Sequence, residues 1–349
     1  MRTMKFDIRD LVRKNVRELK PYSSARDEYV SDGSQKIFMD ANENPFESGI
    51  NRYPDPQQRK LKVALSELKE IPADSILLGN GSDEVLDLVF RAFCEPNLDN
   101  IITVPPTYGM YKVLADVNGI ENREVVLKEG FQLDVEGILG VTDKNTKLLF
   151  ICSPNNPTGN RFQLTDIQQL LESFNGLLVL DEAYIDFSTE PGWLSKLGAN
   201  PNLLITQTLS KAYGMAGIRL GTCYASADII RILNRIKPPY NVNELTQKAA
   251  LDKLNDRQSV KKQIKQIIEE RNWLIGQLGH VDFITEIFPT DANFILARVD
   301  NANKRYQQIL DRGIVVRNRS NLPLCEDTLR FTVGTSDENK ELVKVLKTI

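Results

Sequence analysis

An α/β fold with a second, smaller α+β domain follows from two features of the sequence. From about residue 76, short runs of consecutive aliphatic residues alternate with segments of helical periodicity. After Lys237-Pro-Pro-Tyr240 this pattern gives way to a long helix followed by alternating runs. Continuous rather than alternating apolar strands, separated by helices, predict a mostly parallel sheet covered on both faces. At 349 residues the chain exceeds a usual single domain. The expected division is a large domain over 31–240 and a small one over 241–349, preceded by an arm over 1–30.

Taken in order, residues 7–19 place Ile8, Leu11, Val12, Val16 and Leu19 on one face of a short amphipathic helix. Lys20-Pro-Tyr22 ends it, and its apolar face is expected to pack on the small domain or on a partner subunit. Asp40–Pro45 and Arg52–Pro56 are turn-rich, with Pro56 placed to open a helix over 57–69. The alternating region reads as strand Ile76–Leu78, helix 83–93, strand Ile101–Val104, helix 108–118, strand Val125–Leu127 and helix 134–139. Strand Leu148–Ile151, helix 165–174 and strands Leu177–Leu180, Leu203–Thr206 and Arg219–Tyr224 follow. The second domain opens on a helix over 259–278, whose Ile264, Ile267, Ile268, Trp273, Ile275 and Leu278 make a broad apolar face. Apolar runs 282–287 and 293–299, helix 302–312, strands near 314–316 and 328–333, and helix 336–347 complete it.

Composition narrows the function. The net charge of −3 implies no strong attraction to nucleic acid or anionic membranes, and no apolar run approaches the ~20 residues that cross a bilayer. Met1–Ile8 lacks an apolar signal core, and the four cysteines show no C-x-x-C spacing, so free thiols in the cytoplasm are expected. The single histidine, His280, stands at a helix end far from the other motifs. A Ser-His-Asp triad or a His-rich metal site would have to be built on that one residue, so acid–base work is expected from Lys, Tyr, Asp or Glu.

Three turns at strand ends carry unusual residues. Thr208-Leu-Ser-Lys-Ala-Tyr-Gly-Met-Ala-Gly-Ile-Arg219 sets Lys211 among small residues, where burial would lower its pKa and free its amine to attack a carbonyl. Thr208, Ser210 and Arg219 are donors that suit a phosphate; a solvated lysine in a glycine-rich turn is the alternative. In Ser153-Pro-Asn-Asn-Pro-Thr-Gly159, Pro157 restricts Asn156 and projects its amide from a tight turn. Asp181-Glu-Ala-Tyr184 closes a run of four aliphatics with a carboxylate, which is costly to bury unless a cation or donor meets it. Asp181 reads either as a helix cap or as the partner of a ring nitrogen, with Tyr184 in reach of the same ring.

Gly79-Asn-Gly-Ser-Asp-Glu84 adds a helix N-terminus whose amides at Ser82 and Asp83 suit an anion, provided the two carboxylates turn away. It departs from the dinucleotide fingerprint because Glu84 replaces the third glycine, which disfavours a nicotinamide dehydrogenase. Tyr108 reads as a stacking ring or as ordinary interior. Arg317 and Arg330 interrupt apolar strands and call for either an internal carboxylate or an anionic ligand. Together these residues describe a phosphorylated aromatic aldehyde with a ring nitrogen that needs a carboxylate.

The sequence resembles the fold-type I pyridoxal-phosphate enzymes, specifically the class II aminotransferases. Ser153–Gly159, Asp181–Tyr184 and Ser210-Lys211 carry that resemblance. Asn15–Arg26, Asn42–Pro45, Arg91–Pro96 and Pro105–Tyr111 extend the resemblance along the chain. Within the group the sequence is similar to the branch acting on histidinol phosphate, through Lys20-Pro-Tyr22, Arg52-Tyr-Pro54 and Arg330–Gly334. One departure is Ser82, where members often carry alanine; a backbone contact tolerates it.

The resemblance implies pyridoxal 5′-phosphate bound to Lys211, Asp181 on its ring nitrogen, Tyr184 and Asn156 on its ring oxygen, and Tyr108 against the ring. Ser82, Asp83, Thr208, Ser210 and Arg219 are implied for its phosphate, with Tyr53 from the partner subunit of a homodimer. It further implies transfer of an amino group from histidinol phosphate to 2-oxoglutarate, a step of histidine biosynthesis. Arg330, with Arg317 and Tyr22, would hold the substrate phosphate, the same Arg330 would then hold the α-carboxylate of glutamate, and Tyr240 would line that pocket. An aromatic amino-acid aminotransferase, a threonine-phosphate decarboxylase and a non-catalytic cofactor-binding protein remain the rival expectations.

Overall fold

A computed structural model describes residues 6–22, 26 and 36–349. Its centre is a seven-stranded sheet, and a four-stranded sheet lies toward the C-terminus. In chain order the strands are β1 (Ile76–Asn80), β2 (Asn100–Thr103), β3 (Glu121–Glu124), β4 (Thr146–Cys152), β5 (Leu177–Asp181), β6 (Leu203–Thr208) and β7 (Leu220–Ala225). The second sheet comprises β8 (Ile284–Ile287), β9 (Phe294–Val299), β10 (Arg317–Asn318) and β11 (Thr328–Thr332).

The large sheet runs β1-β7-β6-β5-β4-β2-β3, and only β7 is antiparallel to its neighbours. The mostly parallel sheet expected from the continuous apolar runs is therefore present. Strand side chains alternate between its faces. Leu77, Phe150, Val179 and Leu204 meet the helices Ser82–Phe93, Met110–Asn118 and Ala227–Ile236 on one side. Leu78, Ile151, Leu180 and Ile205 meet Arg59–Lys69, Leu164–Ser173 and Glu244–Asn255 on the other. A third apolar cluster, with Leu274, Ile295, Ile309, Phe331 and Leu342, fills the space between the small sheet and its helices.

Several elements differ from expectation for physical reasons. The third strand is Glu121–Glu124, not Val125–Leu127. As the edge strand beside β2 it pairs through its backbone with largely solvated side chains, while Val125 and Leu127 extend the hydrogen bonding to Thr103 and Pro105. Helix Arg59–Lys69 begins after Pro56 because Gln58 takes a left-handed conformation, φ 49°. The N-terminal helix is split into Ile8–Asp10 and Lys14–Glu18. Its Ile8, Val12 and Val16 join the large-sheet cluster, and Arg13 N–H donates to the Ala92 carbonyl at 3.0 Å. Residues 6–22 thus pack on the large sheet's helix layer and not on the small sheet. Residues 1–5, 23–25 and 27–30 of the expected arm, and Ser23–Ala25 of the resemblance, lie outside the described residues.

Helices Ala227–Ile236 and Glu244–Asn255 carry no assignment from periodicity, although Ser226 and Asn243 cap them. Strand 314–316 is displaced to Arg317–Asn318. On the long helix Arg257–Leu278 Trp273 is exposed, and the fully buried positions include Val260, Leu274 and Leu278. Among the described residues no helix is long and apolar enough to cross a membrane.

One buried cation is unusual. Lys62, inside helix Arg59–Lys69, is buried, and burial together with the neighbouring Lys237 charge pushes its pKa down to about 8. A depressed lysine holds fewer protons folded than unfolded, so stability rises with pH between about 8 and the unfolded value. Lys62→Met is expected to stabilise the protein by about 1–3 kcal/mol at pH 7, the gain shrinking as pH approaches 10.5. Urea denaturation at pH 7 and pH 10 measures it.

Candidate active site

The carboxyl ends of β1, β2, β4, β5 and β6 and the start of the reversed β7 meet along one edge of the large sheet, where open α/β folds bind ligands. Register aligns Cys152 with Asp181 and Asp181 with Thr206 across three adjacent strands. A cavity of about 590 Å³ opens there. Its walls bring together every residue singled out from sequence except Tyr22, Tyr53 and Tyr240.

Asp181 forms the floor. It is buried, ends β5 and begins no α-helix. The Ala183 N–H donates to its Oδ1 at 3.1 Å and the Tyr111 hydroxyl to its Oδ2 at 2.8 Å. Burial raises its pKa, while the Tyr111 and Ala183 hydrogen bonds favour the charged form. Tyr111 is fully buried and stacked on Phe150 at 4.9 Å. Its role has no local signature, although Tyr108 and Tyr111 lie three apart on one helical turn.

Lys211 stands in the turn after β6, exposed to the cavity rather than sealed from solvent. The cavity walls still lower its pKa by desolvation, and the nearby charges of Arg330 and Arg219 act the same way while Asp181 opposes them. Its Nζ lies 5.5 Å from the centroid of the Tyr184 ring. Tyr184 is buried, edge-on to Phe294 at 5.1 Å, and burial raises its hydroxyl's pKa.

An anion cradle occupies the other end. Helix Ser82–Phe93 starts at Gly81 with no side-chain cap, leaving its first-turn amides toward the cavity. Gly81 sits at φ 80°, and a Cβ there would meet the Arg219 guanidinium at 2.7 Å. A Cβ on Gly221 would approach the Ser82 nitrogen to 2.2 Å, so glycine at both positions lets the helix start abut β7. Glu84 turns away as expected, accepting from the Asn80 N–H and the Asn241 side chain. Asp83 does not: its carboxylate lies 3.6 Å from Arg219 and accepts a 3.1 Å bond from Tyr108. The local positive charge of Arg219 explains the difference. The Thr208 hydroxyl donates to the Leu220 carbonyl at 3.2 Å and accepts from the Ser210 N–H, so it shapes the turn.

The small sheet supplies a third wall. Arg317 and Arg330 are direct cross-strand partners on β10 and β11. An Arg330 Nη donates to the Asn156 side-chain oxygen, tying the small sheet to the loop after β4. Among the described residues neither arginine has an ion pair, so the internal-carboxylate alternative does not apply. Arg319, unassigned from sequence, lines the same wall; the period of two from Arg317 was the available signal.

The three remaining tyrosines lie outside. Tyr53 stacks on Tyr240 at 4.5 Å, and Tyr22 is 76% exposed.

Removing the Tyr111 hydroxyl would leave the buried Asp181 carboxylate one donor short. Tyr111→Phe is expected to destabilise the ligand-free protein by about 1–3 kcal/mol, measured by urea denaturation at neutral pH.

The family model for aminotransferase class I and II matches residues 33–346. A histidinol-phosphate aminotransferase of Flavobacterium johnsoniae is 59% identical over 343 residues, 98% of each chain. The crystal structure of the histidinol-phosphate aminotransferase from Clostridium acetobutylicum is similar with a TM-score of 0.79 and 26% identity, covering 86% of this chain and 91% of that one. The Sinorhizobium meliloti histidinol-phosphate aminotransferase, solved in complex with pyridoxal-5′-phosphate, shares the fold at a TM-score of 0.77 and 23% identity, over 85% of this chain and 82% of that one.

Proposed function

The chain belongs to the class I and II aminotransferases, and we propose that it moves the amino group of L-histidinol phosphate to 2-oxoglutarate, giving imidazole acetol phosphate and L-glutamate. This is a step of histidine biosynthesis. The near full-length identity to relatives of that name supports the reading. The observation that carries it is the cavity itself, which sets one amine, Lys211, between a buried carboxylate and the small-sheet guanidiniums of Arg317 and Arg330, which have no ion pair among the described residues.

The donor set fits pyridoxal 5′-phosphate. Asp181 is a buried carboxylate wanting a cation, and the uncapped helix start with Ser210 and Arg219 is a cradle for a phosphate. Lys211 is an amine of lowered pKa facing both. When bound, the cofactor supplies an aldehyde for the amine and a ring that accepts electrons.

The chain's own residues do the rest. Asp181, held by Tyr111 and the Ala183 amide, would keep a proton on the ring nitrogen. The Asn156 amide, its oxygen fixed by Arg330, and the Tyr184 hydroxyl would hold the ring oxygen, and Tyr108 would serve the ring face. The Ser82 and Asp83 amides, Ser210 and Arg219 bind the phosphate, with Thr208 holding the turn. Lys211 would be the group that carries the proton between the substrate carbon and the carbon of the cofactor's aldehyde group. Arg330 and Arg317, which line the cavity, would bind the substrate phosphate, and Arg330 would afterwards bind the α-carboxylate of glutamate. Tyr22 for the phosphate and Tyr240 for the pocket lining are proposed with them, although both lie outside this cavity.

A homodimer completes the site. Ile37, Met39 and Phe46 are 89%, 91% and 80% exposed on the segment leading to Tyr53, an apolar surface that suits a second subunit. Tyr53 would reach the partner's cofactor phosphate from there. The arm over 1–30, large domain over 31–240 and small domain over 241–349 belong to the same proposal. The four buried free cysteines suit the cytoplasm.

Half-reaction spectra of the cofactor-loaded enzyme test the substrate. Histidinol phosphate is expected to bleach the visible band far more efficiently than phenylalanine or threonine phosphate; equal efficiency with phenylalanine rejects the reading. Lys211→Ala is expected to lower turnover at least about 10³-fold and to abolish that band. Sedimentation equilibrium is expected to give a dimer, and a monomer at micromolar concentration would remove Tyr53 from the site.

A further inference from the structure

We propose that Arg319 is a specificity-determining residue which, with Arg317 and Arg330, forms a three-guanidinium clamp for a phosphate dianion and favours it over a single carboxylate. The inference rests on the substrate reading above and deepens it.

Position in the ladder comes first. Arg317 faces Arg330 directly across β10 and β11, and Arg319, two residues on, projects from the same face. The Arg319 N–H donates to the Thr328 carbonyl at 2.9 Å, which continues the pairing and makes Arg319 the diagonal neighbour of Arg330. Like charges placed opposite in a ladder repel, so three on one face need a compensating anion. Among the described residues none of the three has an ion pair, and all line the cavity.

Arg319 is half-buried and its Nε is buried without a hydrogen-bond partner. Burial, followed by the Arg330 and Arg317 charges, pulls its pKa down to about 10. That direction reports a cation poorly compensated by the protein alone.

The charge count sets the preference. A carboxylate monoanion is met by one bidentate guanidinium, and Arg330 suffices for it. A phosphate dianion offers three acceptor oxygens and twice the charge, which engages a second and a third arginine. Arg319 is the cation that a carboxylate leaves unused.

Single-turnover kinetics of the cofactor-loaded enzyme with histidinol phosphate and with glutamate test this, alongside competition by inorganic phosphate and by acetate. In Arg319→Gln the ratio of kcat/KM for histidinol phosphate to that for glutamate should fall by about tenfold or more, and Arg319→Lys should recover part of it. Inorganic phosphate should lose affinity by a similar factor, while acetate should change less. Equal losses for both donors would make Arg319 a general anion clamp and overturn the proposal. A larger loss for glutamate would assign Arg319 to its distal carboxylate and overturn it too. An unchanged ratio with a lowered melting temperature would make the residue merely structural. Wild-type enzyme that ignores histidinol phosphate would defeat the substrate reading alone, since the phosphate-against-acetate competition reads the clamp independently.

Discussion

The site depends on a carboxylate kept at the centre of a sheet. Asp181 ends β5 between Cys152 and Thr206, where surrounding strands exclude water, and such a group persists only if donors meet it. The Tyr111 hydroxyl and the Ala183 amide are those donors. Both arise from neighbouring geometry: Tyr111 from the helix after β2, Ala183 from the turn after β5. Holding the carboxylate fixes the cavity floor; Asn156 and Lys211 come from the strand ends around it, while the remaining arginine wall comes from the small sheet.

Charge is sorted across the cavity. The floor is negative, and the far walls at Arg219 and the small sheet are positive, with Lys211 between them. The carboxylate of Asp83 beside Arg219 moderates one positive wall, whereas among the described residues no carboxylate pairs with the arginines of the other. The two walls therefore suit different anions: the first is a preformed cradle built on backbone amides and glycine clearances, and the second is a set of long, adaptable side chains. Asn156 links them, because its oxygen is committed to Arg330 while its turn belongs to the large sheet.

Much of this was legible in the sequence, for identifiable reasons. Continuous aliphatic runs mark buried parallel strands, and hydroxyl, amide or charged residues directly after such runs mark strand ends that face a ligand. Asp181 closes such a run, Asn156 and Lys211 stand in the turns that follow two others, and Arg219 directly precedes the reversed β7. What escaped was set by tertiary context. Tyr111 looks like core and is core, yet its hydroxyl serves Asp181. Asp83 was expected to face away, but the guanidinium of Arg219 holds it at the cavity. The edge strand Glu121–Glu124 has no apolar signature because it pairs by backbone alone, and the N-terminal segment's partner depended on a surface, around Ala92, that no local pattern discloses.

The facing arginines of β10 and β11 have an evolutionary meaning as well. In the absence of ligand their mutual repulsion works against the small sheet, and neutralising either one would relieve it. Random substitution therefore offers gains in folding stability at the very positions proposed to grip substrate. If they do, selection for activity would hold these cations against that drift and keep the small sheet below its attainable stability. In this wall of the enzyme, robustness and recognition are opposed uses of the same charges.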